Sequence, residues 1–307
     1  MTPELTVVVV SFNTARLLAG CLSSLARALA ASPELSARVV VVDNGSGDGS
    51  ADLVRERFPS VELRAIGRNL GFAGANNLVL RELASPFALL LNPDTEVIGD
   101  APSALVRFLR THPRAGVVGG RLVYPDGSFQ HSCFAFPTLA MSFLDLFPIN
   151  HRLTNSRLNG RYPRAWYDRP FRIDHPLGAC MALRRAALDQ AGVMDDGFFM
   201  YCEEVDLCRR IKAAGWEVWY TPDATVVHHE AQATRQFRGE MLLQLHRSRD
   251  RFFAKHYPAS YRRAARAILR LGLLRDLVRS ARQRARGEVD GAEWRRRRAV
   301  YERLLAL

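Results

Sequence analysis

Acids and amides recur at a few points in this 307-residue chain, each just after an apolar run. Val39–Val42 leads into Asp43-Asn44-Gly45-Ser46-Gly47-Asp48-Gly49-Ser50. An aspartate so placed can accept a hydrogen bond from a base N–H or a ribose hydroxyl, and the glycines let a backbone come close to a ligand. Small polar residues also cap helices, so taken alone a capped strand-to-helix turn is the simpler use. Ser50 stands where the last glycine of a dinucleotide fingerprint would fall, which disfavours that ligand. Upstream, Leu5–Val10 opens into Ser11-Phe12-Asn13. Further on, Asn69-Leu70-Gly71-Phe72-Ala73-Gly74-Ala75-Asn76-Asn77 puts small residues at a helix start, where free N–H groups can meet an anion or simply make a tight connection. Leu90-Leu91-Asn92-Pro93-Asp94 delivers a carboxylate to a strand end. Asp94, with Asn92 and diphosphate oxygens, could hold a hard divalent cation. The same residue types also make an Asn-Pro-Asp turn.

Two later clusters complete the set. Glu203, Glu204 and Asp206 crowd the start of a helix, a place the helix dipole favours for acids whatever the function. Val226-Val227-His228-His229-Glu230 closes a strand with paired histidines, where a single one is more often structural.

Strand- and helix-sized patterns alternate around these clusters. Strands are expected at Leu5–Val10, Arg38–Asp43, Val61–Ile66, Phe87–Leu91 and Gly116–Tyr124, with helices at about Thr14–Ala30, Ser50–Phe58, Phe72–Leu83 and Ala101–His112. Such alternation implies βαβ units and a mostly parallel sheet, with the ligand site beyond the carboxyl ends of the strands. Residues 128–172 are less regular. A strand Ile173–Leu183, a helix Glu203–Ala214, short strands Glu217–Tyr220 and Thr225–Val227, and a helix Phe237–His256 follow. Pro258 marks a boundary before an arginine-rich helical tail.

A 48 % hydrophobic and 24 % charged composition fits a soluble protein with a real core. No apolar run reaches membrane-spanning length and no secretory leader is visible, which points to the cytoplasm. Five cysteines at irregular spacing, without C-x-x-C, argue against both a disulfide framework and a zinc knuckle. The net charge of +12 suggests an anionic partner without naming it.

Taken together, Ser-Phe-Asn, Val-Asp-Asn-Gly-Ser, Asn-x-Gly-Phe-Ala-Gly-Ala-Asn-Asn and Leu-Asn-Pro-Asp-Thr resemble family 2 glycosyltransferases of the GT-A fold, bacterial rhamnosyltransferase-like members above all. The resemblance spans about residues 5 to 256. It implies an α/β, GT-A type catalytic domain at 1–257, with a mostly parallel central sheet flanked by helices. The nucleotide-binding half would be about 1–125 and the acceptor half about 126–257, followed by a basic helical tail at 258–307. It further implies an inverting, metal-dependent transfer from a nucleotide-sugar donor, dTDP-rhamnose as first choice, onto an acceptor hydroxyl.

By this resemblance Ser11, Asn13, Asp43, Asn44, Asn69, Gly71, Gly74 and Asn77 would contact the donor, with Arg235 on its diphosphate and His229 and Gln236 as weaker candidates. Asp94 matches the second aspartate of the family's D-x-D, with Asn92 in place of the first. His228 would complete a Mg2+ or Mn2+ site. Glu204 stands where the family has its catalytic aspartate, and Asp206 is the alternative base or its partner.

The acceptor implied is a glycan or a polyprenyl-diphosphate-linked sugar, in cell-envelope polysaccharide or glycolipid synthesis. The stripe Ile268, Leu271, Leu274 and Val278 in the tail either packs on the domain or lies on an anionic membrane, the cytoplasmic face of the inner membrane. A nucleotide-sugar-binding protein without turnover is the main alternative. Nucleic-acid binding is suggested by charge alone and lacks recognition motifs.

Overall fold

Aliphatic and β-branched runs form the strands, and apolar residues at helical spacing form the helices that cover them. The structure is a computed structural model that describes residues 2–229 and 238–306. In chain order the first stretch holds β1 (Leu5–Ser11), α1 (Ala15–Ala30), β2 (Ala37–Asp43), α2 (Ser50–Arg57), β3 (Glu62–Ala65), α3 (Gly71–Leu80), β4 (Phe87–Leu91), β5 (Thr95–Ile98), α4 (Ala101–Thr111) and β6 (Ala115–Val123). Then come β7 (Phe129–Gln130), β8 (Cys133–Phe134), α5 (Leu139–Leu146), α6 (His151–Thr154), β9 (Phe171–Arg172), β10 (His175–Pro176), β11 (Cys180–Arg184) and α7 (Arg185–Ala191). The chain continues with α8 (Glu203–Ala213), β12 (Glu217–His228), α9 (Arg238–His256), α10 (Ala259–Ala285) and α11 (Gly291–Leu305).

Contacts divide the chain into two units, residues 1–136, 162–199 and 203–233 against 137–161, 200–202 and 234–307. The first is built on a sheet ordered β3-β2-β1-β4-β11-β6-β12-β5. Alternate residues of its central strands face opposite helical layers. Val7, Val9, Leu89 and Leu91 meet α1 and α4, while Val8, Val10 and Leu90 meet α3, α7 and α8. Burial on both faces explains why these strands read as unbroken apolar runs.

The sheet is mostly parallel, as expected, with β6 parallel to β12 and only β11 and β5 reversed among the eight strands of this order. β3, β2, β1 and β4 are parallel, but β11 is antiparallel to both β4 and β6, and β5 is antiparallel to β12. The expected strand Ile173–Leu183 is two strands. Pro176 lacks an N–H for continued pairing, so β10 pairs with β8 and β11 starts afresh at Cys180. The two short strands expected at Glu217–Tyr220 and Thr225–Val227 are one, β12, with a register shift between Tyr220 and Thr225 around Pro222.

The second unit is helical. Leu243, Leu269, Leu273 and Leu304 form its buried centre, with Leu146, Leu242 and Val300 packed against them. Gly272 admits α5 closely, since a Cβ there would lie 2.9 Å from the Leu146 Cβ. Asp250 on α9 takes paired hydrogen bonds from Arg262 and Arg266 on α10, which hold its carboxyl down at about 2. The division therefore differs from the boundary expected at 257/258: α9 and the 137–161 segment belong with the tail because its leucines cover theirs.

All five cysteines are buried and unbridged. Burial pushes the thiols of Cys21, Cys133 and Cys180 up to about 12. Among the described residues no helix is long and apolar enough to cross a membrane.

Candidate active site

Register brings the polar clusters to one edge of the sheet. Ser11 lies beside Asp43, Leu91 opposite Cys180, and Thr95 opposite His228. The ends of β1, β2, β4 and β12 and the start of β11 thus share an edge. Antiparallel β11 contributes its beginning, so Gly178 and Ala179 sit where the neighbouring strands finish.

At one end of this edge Asp43 is 4 % exposed. Its Oδ2 accepts from the Ser46 N–H at 3.2 Å, while Oδ1 is buried without a partner. Gly45, at φ +85°, presses against the Arg68 backbone so closely that a Cβ would approach it to 2.9 Å. Asn13, in the left-handed region at φ 54°, donates its N–H to Ser46 Oγ and accepts from the Gly47 N–H at 2.8 Å. The Ser11 and Thr14 hydroxyls share a 2.9 Å hydrogen bond. The Asn44 amide donates to Asn69 Oδ1 at 2.9 Å and to the Gly71 carbonyl, and accepts from the Leu70 N–H. Ser11, Asn13, Asn44 and Asn69 therefore bind these loops to one another, and Asp43 keeps an acceptor open.

Gly71 is confined by its surroundings. Its φ is +74°, and a Cβ would fall 2.1 Å from the Phe199 carbonyl oxygen, which accepts the Phe72 N–H at 2.8 Å. Gly74 packs on Leu70. Asn77 is fully buried. It accepts from the Met194 N–H and donates to the Met194 carbonyl and to Asp196. Its amide is spent within the protein, so it anchors the 194–196 segment.

Asp94 and His228 meet through the β5–β12 register. His228 Nδ1–H donates to Gln130 Oε1 at 3.2 Å. His228 Nε2 faces Asp94 Oδ1 at 3.5 Å, with both residues under 10 % exposed. A hydrogen bond such as that to Gln130 is the kind that orients a histidine ligand. Among the described residues no group of three His, Cys, Asp or Glu side chains could hold a metal. Asn92 reaches the same edge, its N–H donating to the Ala179 carbonyl. His229 pairs with Glu96 at 2.8 Å. Arg235 and Gln236 lie outside the described residues.

The acids of α8 differ sharply from one another. Glu203 is 5 % exposed and Glu204 half-buried, and each has a buried Oε2 without a partner. Burial raises the Glu204 carboxyl to about 7. Burial, and then the Glu204 charge, hold that of Glu203 well above the carboxylate range. Gly178 adjoins Glu204, since a Cβ on that glycine would lie in van der Waals contact, 3.9 Å from Glu204 Cγ and 3.8 Å from the Phe72 ring. Tyr201 and Cys202, just before α8, have left-handed backbone at φ 68° and 65°. Asp206 is fully buried and takes a 2.8 Å hydrogen bond from Arg210 Nε. Arg210 also donates to the carbonyls of Ala191, Gly192 and Val193. Through Arg210, Asp206 is tied to the segment that precedes the acids.

Sequence reasoning missed Gln130, which sits in a two-residue strand without a pattern of its own. It passed over Glu203 for its neighbour. It gave Glu96 no part, because β5 is too short to read.

The unpartnered Asp43 oxygen, the Asp94–His228 pair and the buried Glu204 carboxyl are ranged along one edge of a sheet flanked by helices, the arrangement that the resemblance to the GT-A fold implies. Residues 6–192 match the model of glycosyl transferase family 2, and the chain belongs to that family. Within it the chain is rhamnosyltransferase-like. It is 32 % identical over 305 residues to N-acetylglucosaminyl-diphospho-decaprenol L-rhamnosyltransferase of Mycobacterium tuberculosis, across 93 % of this chain and 96 % of that one. It is 30 % identical over 177 residues to rhamnosyltransferase WbbL of Escherichia coli, across 54 % and 64 %. Among solved structures, mannosyltransferase PcManGT from Pyrobaculum calidifontis, in complex with GDP-Man and Mn2+, matches all of this chain and 86 % of its own with a TM-score of 0.54. GalNAc-T7 with UDP, GalNAc and Mn2+ matches 74 % of this chain and 44 % of its own at 0.53. At 19 % and 16 % identity these two share the fold.

Proposed function

We propose that the protein transfers L-rhamnose from dTDP-rhamnose to a hydroxyl of a polyprenyl-diphosphate-linked N-acetylglucosamine, by a single displacement that inverts the anomeric centre. End-to-end similarity to the mycobacterial rhamnosyltransferase supports this donor and acceptor, and cell-envelope synthesis as the setting.

Asp43 Oδ1 accepts a hydrogen bond from the donor's base or ribose. Asn44 and Asn69 hold the loops around it, and Gly71 and Gly74 keep the backbone close to the donor. Asp94 and His228 fit a divalent ion, Mg2+ or Mn2+, and a cation bound there supplies neutralisation of charge on the departing diphosphate. The acceptor hydroxyl approaches Glu204 on the face opposite the diphosphate. Glu204 Oε2 takes its proton as the new glycosidic bond forms. A buried carboxyl raised to about 7 is well matched to that task near neutral pH.

The observation that carries the chemistry is the unpartnered Glu204 oxygen at the edge shared with Asp43 and with the Asp94–His228 pair. The test is transfer from dTDP-rhamnose to a synthetic lipid-linked N-acetylglucosamine, followed by mass spectrometry, with the anomeric configuration of the product read by NMR. Failure with this donor and turnover with another would overturn the sugar. Product of retained configuration would overturn the single displacement.

A further inference from the structure

Charge is divided unequally along this chain. The second unit carries 23 arginines and lysines against 8 aspartates and glutamates, a net +15, while the first carries 20 against 23, a net −3. Every exposed large apolar side chain among the described residues, except Ile98, also lies in the second unit. Both features meet on α10. Its packed face consists of Ala265, Leu269, Gly272, Leu273 and Ser280. On the opposite face, a little over half a turn away, Leu271, Leu274 and Val278 are 61 %, 50 % and 52 % exposed. The sequence stripe is therefore not the packing face.

Arginines flank these aliphatic side chains. Arg270, Arg279 and Arg282 are exposed and pair with no acid among the described residues. Arg275 lies with its guanidinium 4.7 Å from the centre of the Phe147 ring, and Phe147 stacks on half-exposed Phe143. Through Arg275 the aliphatic face of α10 continues onto the aromatic end of α5.

We infer that this face of α10, with the adjoining end of α5, docks the protein on an anionic lipid bilayer. A leucine–valine strip rimmed by unpaired arginines matches both layers of such a surface: side chains enter the acyl boundary while guanidinium groups stay among the phosphates. A second copy would bring like charge against like. A nucleic acid would satisfy the arginines and leave the leucines in water. The inference rests on this face alone and not on the catalytic reading, and its test reads lipid binding without turnover.

The full-length protein is floated with phosphatidylcholine vesicles, with and without about one third phosphatidylglycerol. Binding should require the anionic lipid and weaken with added salt. The variant Leu271→Ser/Leu274→Ser/Val278→Ser and the variant Arg270→Glu/Arg282→Glu should each reduce bound protein about tenfold or more, with thermal melts unchanged because the altered side chains are exposed. No flotation, equal flotation with both vesicle types, or wild-type binding by both variants would overturn the inference. So would sedimentation showing a dimer that the serine variant dissolves, or tighter binding to duplex DNA than to the vesicles.

Discussion

Glu203 and Glu204 are neighbours in sequence with different surroundings. Burial raises the half-buried Glu204 carboxyl to about 7. Burial, and then the Glu204 charge, hold the Glu203 carboxyl well above its usual range. Glu204→Gln should lower transfer by roughly a hundred- to ten-thousand-fold while leaving donor binding by calorimetry unchanged, because the amide keeps the shape and loses the proton acceptor. The pH profile of kcat/KM should rise with pH through about 7, since the base works deprotonated. In Glu203→Gln that limb should stay in place, because a protonated carboxyl and an amide carry the same charge. Stability should tell the two forms of residue 203 apart. A carboxyl raised by folding stabilises the protein at low pH and loses that contribution as pH climbs past the ordinary carboxylate range. Thermal melts of Glu203→Gln should therefore fall less toward alkaline pH than those of the wild type. Asp94→Ala and His228→Ala should each weaken binding of Mn2+ measured by calorimetry with the nucleoside diphosphate present. Metal binding left intact in both would remove that pair from the cation site.

At the scale of elements, two glycines with left-handed backbone separate strain from contact. Gly99, at φ +58°, has open space around its missing Cβ, whereas a Cβ on Gly71 would fall 2.1 Å from the Phe199 carbonyl oxygen. Gly99→Ala should cost about 1 kcal/mol by chemical denaturation, from backbone conformation alone. Gly71→Ala should cost more than about 2 kcal/mol and lower activity as well, because Phe199 must move. Much of this architecture was readable. β1, β2 and β4 are covered on both faces and announce themselves as apolar runs. The Asp206–Arg210 pair follows helical i,i+4 spacing. What stayed hidden depends on register. Thr95-Glu96-Val97-Ile98 is too short and too polar to declare a strand, yet its antiparallel pairing with β12 is what sets Asp94 against His228. The reversed direction of β11 could not be read either, because an apolar run has no polarity.

The whole molecule is assembled from discontinuous pieces, which changes how it can be cut. Leu269, Leu273 and Leu304 cover Leu146, Leu242 and Leu243 from elsewhere in the chain. Deleting 258–307 should leave those side chains in water, and sedimentation of the truncated chain should find aggregate in place of a well-behaved catalytic fragment. The buried cysteines provide a different probe. Their sulfurs are hidden from reagents, and four of them, Cys21, Cys133, Cys180 and Cys208, are held away from the thiolate form by burial. Modification by an alkylating agent must then wait for the chain to open around each one. Cys21 on α1 and Cys180 at the head of β11 would act as clocks for the sheet, their labelling rates timing how often its centre breathes and whether a bound nucleotide slows it.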